Sequence, residues 1–202
     1  MKQPRIFLWL TLLLALLALA LSLAQSHCPT QGLGFLPSQR AEARLKNRTA
    51  LPRETDFDRR VTLIALLQAG DDRARWSPAQ AARVEGYVVA VSEGGIEAAN
   101  CFALVNRDTH IDLALRADAP PRERVILEVT PRLRAWARQQ GQDWSTPALQ
   151  RDLVGRWCRF EGWLFFDDGH ATESDNTAPG KERNWRATGW EIHPVTYIEV
   201  VK

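Results

Sequence analysis

From Ile6 to Ala24 the chain carries no charge, and from Gln25 onward it turns abruptly polar. Lys2 and Arg5 precede the apolar run and Ser22-Leu23-Ala24 closes it with small residues, the pattern of a secretory leader cleaved before Gln25. The run exceeds the ~7–15 residues usual for such a leader, and at roughly 1.5 Å per helical residue it comes close to a ~30 Å hydrocarbon core. Residues 1–24 therefore predict a signal peptide or an uncleaved N-terminal membrane anchor. Both predict an exported globular part: periplasmic, membrane-anchored or secreted.

Residues 25–55 hold no sustained period. Pro29, Pro37, Pro52 and many charges predict a tether. Within it Asn47-Arg48-Thr49 matches a glycosylation sequon, of consequence only in a eukaryotic host. Phe57, Val61, Ile64, Ala65 and Leu67 then form an apolar stripe, with Asp56 to cap it and Gly70 to stop it, which predicts a brace helix over 57–70. A polar connector completes residues 56–82. From residue 84 the period changes to two, predicting strands over 84–92, 109–116, 124–130, 155–166 and 184–201, the last broken or bulged at Pro194. Pro131 opens a helix running to about Gln140 and Gly141 ends it, and a short helical turn follows Ser145-Thr146-Pro147. Three strands, a helix and two strands within about 115 residues predict a mainly β architecture. The plan is a five-stranded OB-fold-like barrel over 83–202, with a helix between strands 3 and 4; another small barrel or sandwich is the runner-up. This order implies no reaction by itself.

Charge narrows the ligand classes. Removing Lys2 and Arg5 from the 26 basic residues leaves 24 against 24 acidic ones. A neutral exported domain counts against nonspecific nucleic-acid binding. The cysteines, at 28, 101 and 158, are odd in number, so at most one intrachain pair forms. Cys101–Cys158 is the expected pair, because both fall inside the folded region; the alternative makes Cys158 a small buried hydrophobe.

Val84-Glu85-Gly86-Tyr87, Arg107-Asp108-Thr109-His110-Ile111, Val129-Thr130-Pro131-Arg132, Glu161-Gly162-Trp163-Leu164 and the run from Asn184 through Trp190-Glu191-Ile192-His193-Pro194 resemble a group of uncharacterised exported bacterial OB-fold-like proteins. The resemblance spans about residues 84 to 200, implies a bacterial envelope or secreted setting, and carries no catalytic residues to transfer.

The candidate chemistry follows from strand alternation. Ile111, Leu113 and Leu115, then Val125, Leu127 and Val129, then Trp190 and Ile192 form the inward sets, so His110, Asp112, Glu128, Glu191 and His193 face outward. In an OB barrel strands 2, 3 and 5 are neighbours, and one wall gathers all five. His170 lies in the loop between strands 4 and 5, which borders that wall, and Arg183 and Arg186 flank it in sequence. The binding wall is thus His110, Asp112, Glu128, His170, Arg186, Glu191 and His193. Arginine could hold phosphate or carboxylate there, although Arg186 alternates to the inner set and could instead end at the barrel mouth.

Imidazole and carboxylate are also the ligands of zinc and similar divalent ions, with His110, His170, His193 and Asp112 as candidate metal ligands. They are equally the groups of acid–base chemistry. The plainer reading is surface polarity with one or two hydrogen-bonded histidines, since no fixed-spacing metal motif occurs. Trp157, Trp163 and Trp185 also face outward, either as stacking platforms or buried under the brace helix. These features predict an envelope binding module for an unknown ligand or envelope protein, attached to the membrane if the N-terminal segment is uncleaved. The alternatives are a metal-assisted hydrolase, with phosphodiesters as one substrate class, and a structural or assembly role.

Overall fold

The computed structural model describes residues 28–201, so the leader or anchor expectation for residues 1–24 lies outside the described residues. Among those described, no helix is long and apolar enough to cross a membrane. Five strands, β1 (Ala81–Glu93), β2 (Thr109–Ala114), β3 (Val125–Val129), β4 (Trp157–Phe166) and β5 (Trp190–Val200), close into a barrel in the order β1-β2-β3-β5-β4. β3 and β5 run parallel and every other neighbouring pair is antiparallel. This is the OB-fold-like barrel that the period-two pattern predicts. β1 is long enough to serve two neighbours: Ala81 to Tyr87 pair with β4, Tyr87 to Glu93 pair with β2, and the register shifts between Val88 and Ala90.

Alternation fills the interior as expected. Val84, Val88, Ile111, Leu113, Val125, Leu127, Phe160, Leu164, Trp190 and Ile192 all lie in the buried core. Each such side chain is worth about 1.5–3 kcal/mol relative to exposure. Leu115, expected inside, is exposed because β2 ends at Ala114. Residues 184–189 also fall outside the strand they were expected to begin, and β5 starts at Trp190. Pairing against β4 is irregular between Glu161 and Leu164, opposite the break expected at Pro194. Gly162 is required there: a Cβ would sit 2.3 Å from the Pro194 carbonyl oxygen. The helix between strands 3 and 4 is present, its N-terminus capped by the Thr130 hydroxyl accepting from Leu133 N, and a second short helix follows it.

The segment before the barrel departs from expectation in four ways. First, residues 28–55 are not a loose tether. They contain α1 (Pro37–Lys46), and the chain around it is stitched to the barrel. Second, the brace helix shrinks to α2 (Leu63–Leu66). The Asp58 carboxylate accepts from Arg60 N and pairs with its guanidinium, a local turn that competes with helix, while Phe57 bridges to Ala81 beside β1. Of the expected stripe Val61 enters the core and Leu67 packs against it, but Ile64 is exposed, and the short helix buries Leu63 and Leu66 in its place.

Third, the disulfide is Cys28–Cys101, with Cα atoms 5.8 Å apart. Cys158 points into the apolar barrel, where burial pushes its thiol up to about 11. It is the small core hydrophobe of the alternative reading. Fourth, Asn47 of the sequon is buried, its amide donating to the Thr30 and Ala99 carbonyls, so a glycan has no place on the folded chain.

Candidate functional site: a sealed chain of charge on the barrel wall

Register builds the site. His110 on β2 stands opposite Glu128 on β3, and Leu127 pairs with Ile192 on β5. With Ile111, Leu127 and Ile192 turned inward, His110, Glu128, Glu191 and His193 share the outer face of three adjacent strands, as alternation predicts. That face is not open to solvent. Every residue of β3, and Trp190 to Thr196 of β5, is buried. The last turn of α1 and the chain after it form the cover. Lys46 binds Glu97 at 2.8 Å and lies over the Phe165 ring, and Arg48 donates to the carbonyls of Leu164 and His193.

Beneath this cover runs a continuous ionic chain. His110 Nε2 lies 2.7 Å from Glu128 Oε1. Glu128 Oε2 is 3.4 Å from His193 Nδ1, which is 3.1 Å from Glu191 Oε2. Glu191 in turn pairs with Arg186 in a short contact. Arg186 reaches Asp167 at 3.3 Å, and Asp167 binds His170 Nδ1 at 2.6 Å. Only the two terminal histidines approach the surface, with side chains 19% and 43% exposed against 0% for His193 and Arg186.

The electrostatics follow from burial among opposed charges. Burial disfavours a charge on His110, but Glu128 outweighs it and lifts the imidazole to about 9. His193 is likewise disfavoured by burial yet raised on balance by Glu128 and Glu191. The hydrogen bond to Asp167 raises His170. Glu128 and Asp167 pay a burial penalty as anions, and their cationic neighbours nevertheless hold both far below the usual carboxylate range. Burial and the charge of Glu128 push Asp108 up to about 7.

One expected wall residue, Asp112, and the flanking Arg183 lie apart. Asp112 is half-buried and pairs with Arg124 at 3.0 Å, and Arg183 is exposed. Arg186 does hold carboxylates, but they are the protein's own. The three histidines do not converge on one point: His110 and His193 flank Glu128, while His170 is reached only through Glu191, Arg186 and Asp167. The metal set expected from sequence is therefore not gathered. The set that is gathered is Asp108, Glu128 and His193, with one donor atom of each lying within 4.8 Å of the others. Asp108 Oδ1, Glu128 Oε2 and His193 Nε2 are buried without a hydrogen-bond partner among the described residues. This donor set could hold a divalent ion. Tetrahedral bonds of about 2.1 Å would bring the donors to about 3.4 Å apart, and the ion would displace the proton that His193 favours.

Sequence reasoning nominated neither Asp108, Asp167 nor Lys46. The first two stand within three residues of a nominated histidine, a usable signal. Lys46 carries none. The outward tryptophans are engaged too: Trp163 Nε1 donates to the Ala50 carbonyl under Arg48, and Trp185 Nε1 donates to Glu173. Thus the N-terminal segment, not the 57–70 helix, covers Trp163.

No family model matches the chain, and neither a curated protein nor a solved structure matches it.

Proposed function

We propose that this chain is an exported envelope binding module of OB-like architecture, whose His/Asp/Glu wall is a building element and whose ligand is met elsewhere on its surface. The observation that carries this reading is the sealing of the wall: Glu128, Glu191 and His193 are 2%, 1% and 0% exposed. A hydrolase must bring a substrate within about 3 Å of its acid–base groups. Here α1 and its flanking chain occupy that space, and the carboxylates and imidazoles are spent on one another. The Cys28–Cys101 disulfide supports an oxidising compartment, in keeping with the apolar leader.

Two measurements test the reading. Incubation of the purified protein with bis(p-nitrophenyl) phosphate and zinc, manganese or magnesium should give no turnover. Metal-dependent turnover that His193→Gln abolishes in a still-folded protein would instead establish the hydrolase. Alkylation in intact cells should find Cys28 and Cys101 blocked until reductant is added. Free thiols at both positions would remove the exported setting.

A further inference from the structure

Half of the fourteen large apolar side chains exposed among the described residues fall in two short segments. Leu33, Phe35 and Leu36 precede α1; Ile96, Phe102, Leu104 and Val105 belong to the β1–β2 connection. Phe35, Leu104 and Val105 are 84%, 65% and 77% exposed, more than stray surface hydrophobes need explaining away.

These segments form one edge of the molecule because they are sewn together. The disulfide joins Cys28 to Cys101, and Leu33 N donates to the Ala98 carbonyl at 2.9 Å. Asn47 clamps the carbonyls of Thr30 and Ala99, one from each segment. Gly32 permits the close approach: a Cβ there would sit 2.3 Å from the Ala98 carbonyl oxygen, and its φ is +59°.

The apolar run of the sequence ends at Ala24, four residues before Cys28. Four residues span at most about 14 Å of extended chain. An anchor ending there therefore holds the disulfide, and the apolar edge beside it, within that distance of the membrane. The charges at this edge suit an anionic surface. Arg40 and Arg44 are exposed on α1, and Arg40 Nε is fixed to the Gly34 carbonyl next to Phe35. Of the nearby acids, Glu97 is paired with Lys46 and Glu93 with Arg107, and Glu42, between the two arginines on α1, is half-buried where they are exposed.

We infer that residues 1–24 are retained as an anchor and that the edge formed by Leu33, Phe35, Ile96, Phe102, Leu104 and Val105 rests in the lipid headgroup region of the same membrane, with Arg40 and Arg44 on anionic headgroups. This inference rests on the exported reading above and adds an orientation: the disulfide end of the barrel faces the bilayer. Interfacial amphipathic helices bury their apolar face about 5–10 Å into the headgroup boundary, and this edge would sit at a comparable depth.

The test uses the full chain reconstituted in vesicles of phosphatidylethanolamine with a minority of phosphatidylglycerol. Photoreactive diazirine side chains are placed singly at positions 35, 105 and 64, the last an exposed site on α2. Mass spectrometry after irradiation should find lipid adducts at 35 and 105 at least about tenfold above those at 64, because only interfacial side chains meet lipid. The double change Leu104→Asp with Val105→Asp should leave the melting curve unchanged and reduce the adduct at 35. Equal labelling at all three positions, or none, overturns the inference. So do adducts to a second copy, which would make the edge a self-association surface. A chain recovered from its host with Gln25 as its N-terminus also overturns it, while leaving export intact; export itself fails only if the Cys28 and Cys101 thiols are free in cells.

Discussion

Glu128 is the residue on which the buried chain turns. It stands between two imidazoles, close enough to ion-pair with His110 and to face His193, and no water-exposed route relieves it. Breaking a buried ion pair from one side strands the other charge, which typically costs about 3–5 kcal/mol, whereas the intact pair contributes little net stability over an apolar replacement. Glu128→Gln should therefore lower the unfolding free energy by about 3 kcal/mol or more, read from urea denaturation. A loss below about 0.5 kcal/mol would show that the histidines are neutral and the pairing weak. The position was legible in sequence: alternation puts Glu128 outward, and β2–β3 pairing puts His110 opposite. Its burial was not legible, because a carboxylate on an outer sheet face reads as a solubilising group until something is laid over it.

What is laid over it is α1, a docked helix where the proline-broken, charged sequence predicts a tether. Pro37–Lys46 buries only Ala43 and Lys46. A helix that caps an apolar face shows an apolar stripe; one that caps a charged face brings a complementary charge, and hydrophobic periodicity cannot see it. The 57–70 segment shows the converse. It has the stripe, but the Asp58–Arg60 turn breaks the helix, so that Ile64 of the stripe is exposed while Leu63 and Leu66, outside it, join Val61 in the core. The cover is held by the disulfide, whose two cysteines are 73 residues apart. Loop-closure entropy for that separation corresponds to roughly 4 kcal/mol. Cys28→Ser should lose stability of that order and speed amide exchange over residues 37–50 and 190–196, with the β1–β4 pairing still protected. Uniform exchange throughout the barrel would mean that the cover and barrel unfold as one unit.

For the whole molecule, the pH dependence is set by groups on both sides of neutrality. His110 is raised from 6.5 to about 9, so its contribution is complete below pH 6.5 and is lost as pH rises through 9, a term on the order of 3 kcal/mol. Asp108, raised from 3.8 to about 7, also favours the protonated side, so its contribution is complete below pH 3.8 and is lost progressively as pH rises from there through 7. Glu128 and Asp167 are depressed, so their contributions are complete above 4.5 and 3.8 and fade below those values. Thermal melts across pH should show greatest stability near pH 4–5, where the Glu128 and Asp167 contributions are nearly complete and that of Asp108 has barely begun to fall, and a decline from there towards pH 9, with His110→Gln flattening the alkaline limb. A melting temperature rising from pH 6.5 to 9 would contradict the ion-pair assignment. Because protons on His110 and His193 already balance the buried acids, chelation should leave the melting temperature unchanged at pH 6; a fall above about 5 °C with a stoichiometric ion in the untreated protein would place a structural metal at Asp108, Glu128 and His193.

The barrel itself was determined by sequence alone, because a period of two, turn residues and a helix between the third and fourth strands are local signals that each segment carries by itself. The outward direction of His110, Glu128, Glu191 and His193 came with it, since pleating links each residue to its neighbours. The fate of that face was decided by tertiary structure. Whether it meets water or protein depends on where a polar segment some eighty residues upstream comes to rest, and the Cys28 partner depends on the same docking. Long-range closure of this kind leaves no periodic trace in the chain, so a wall that reads as open proved to be roofed.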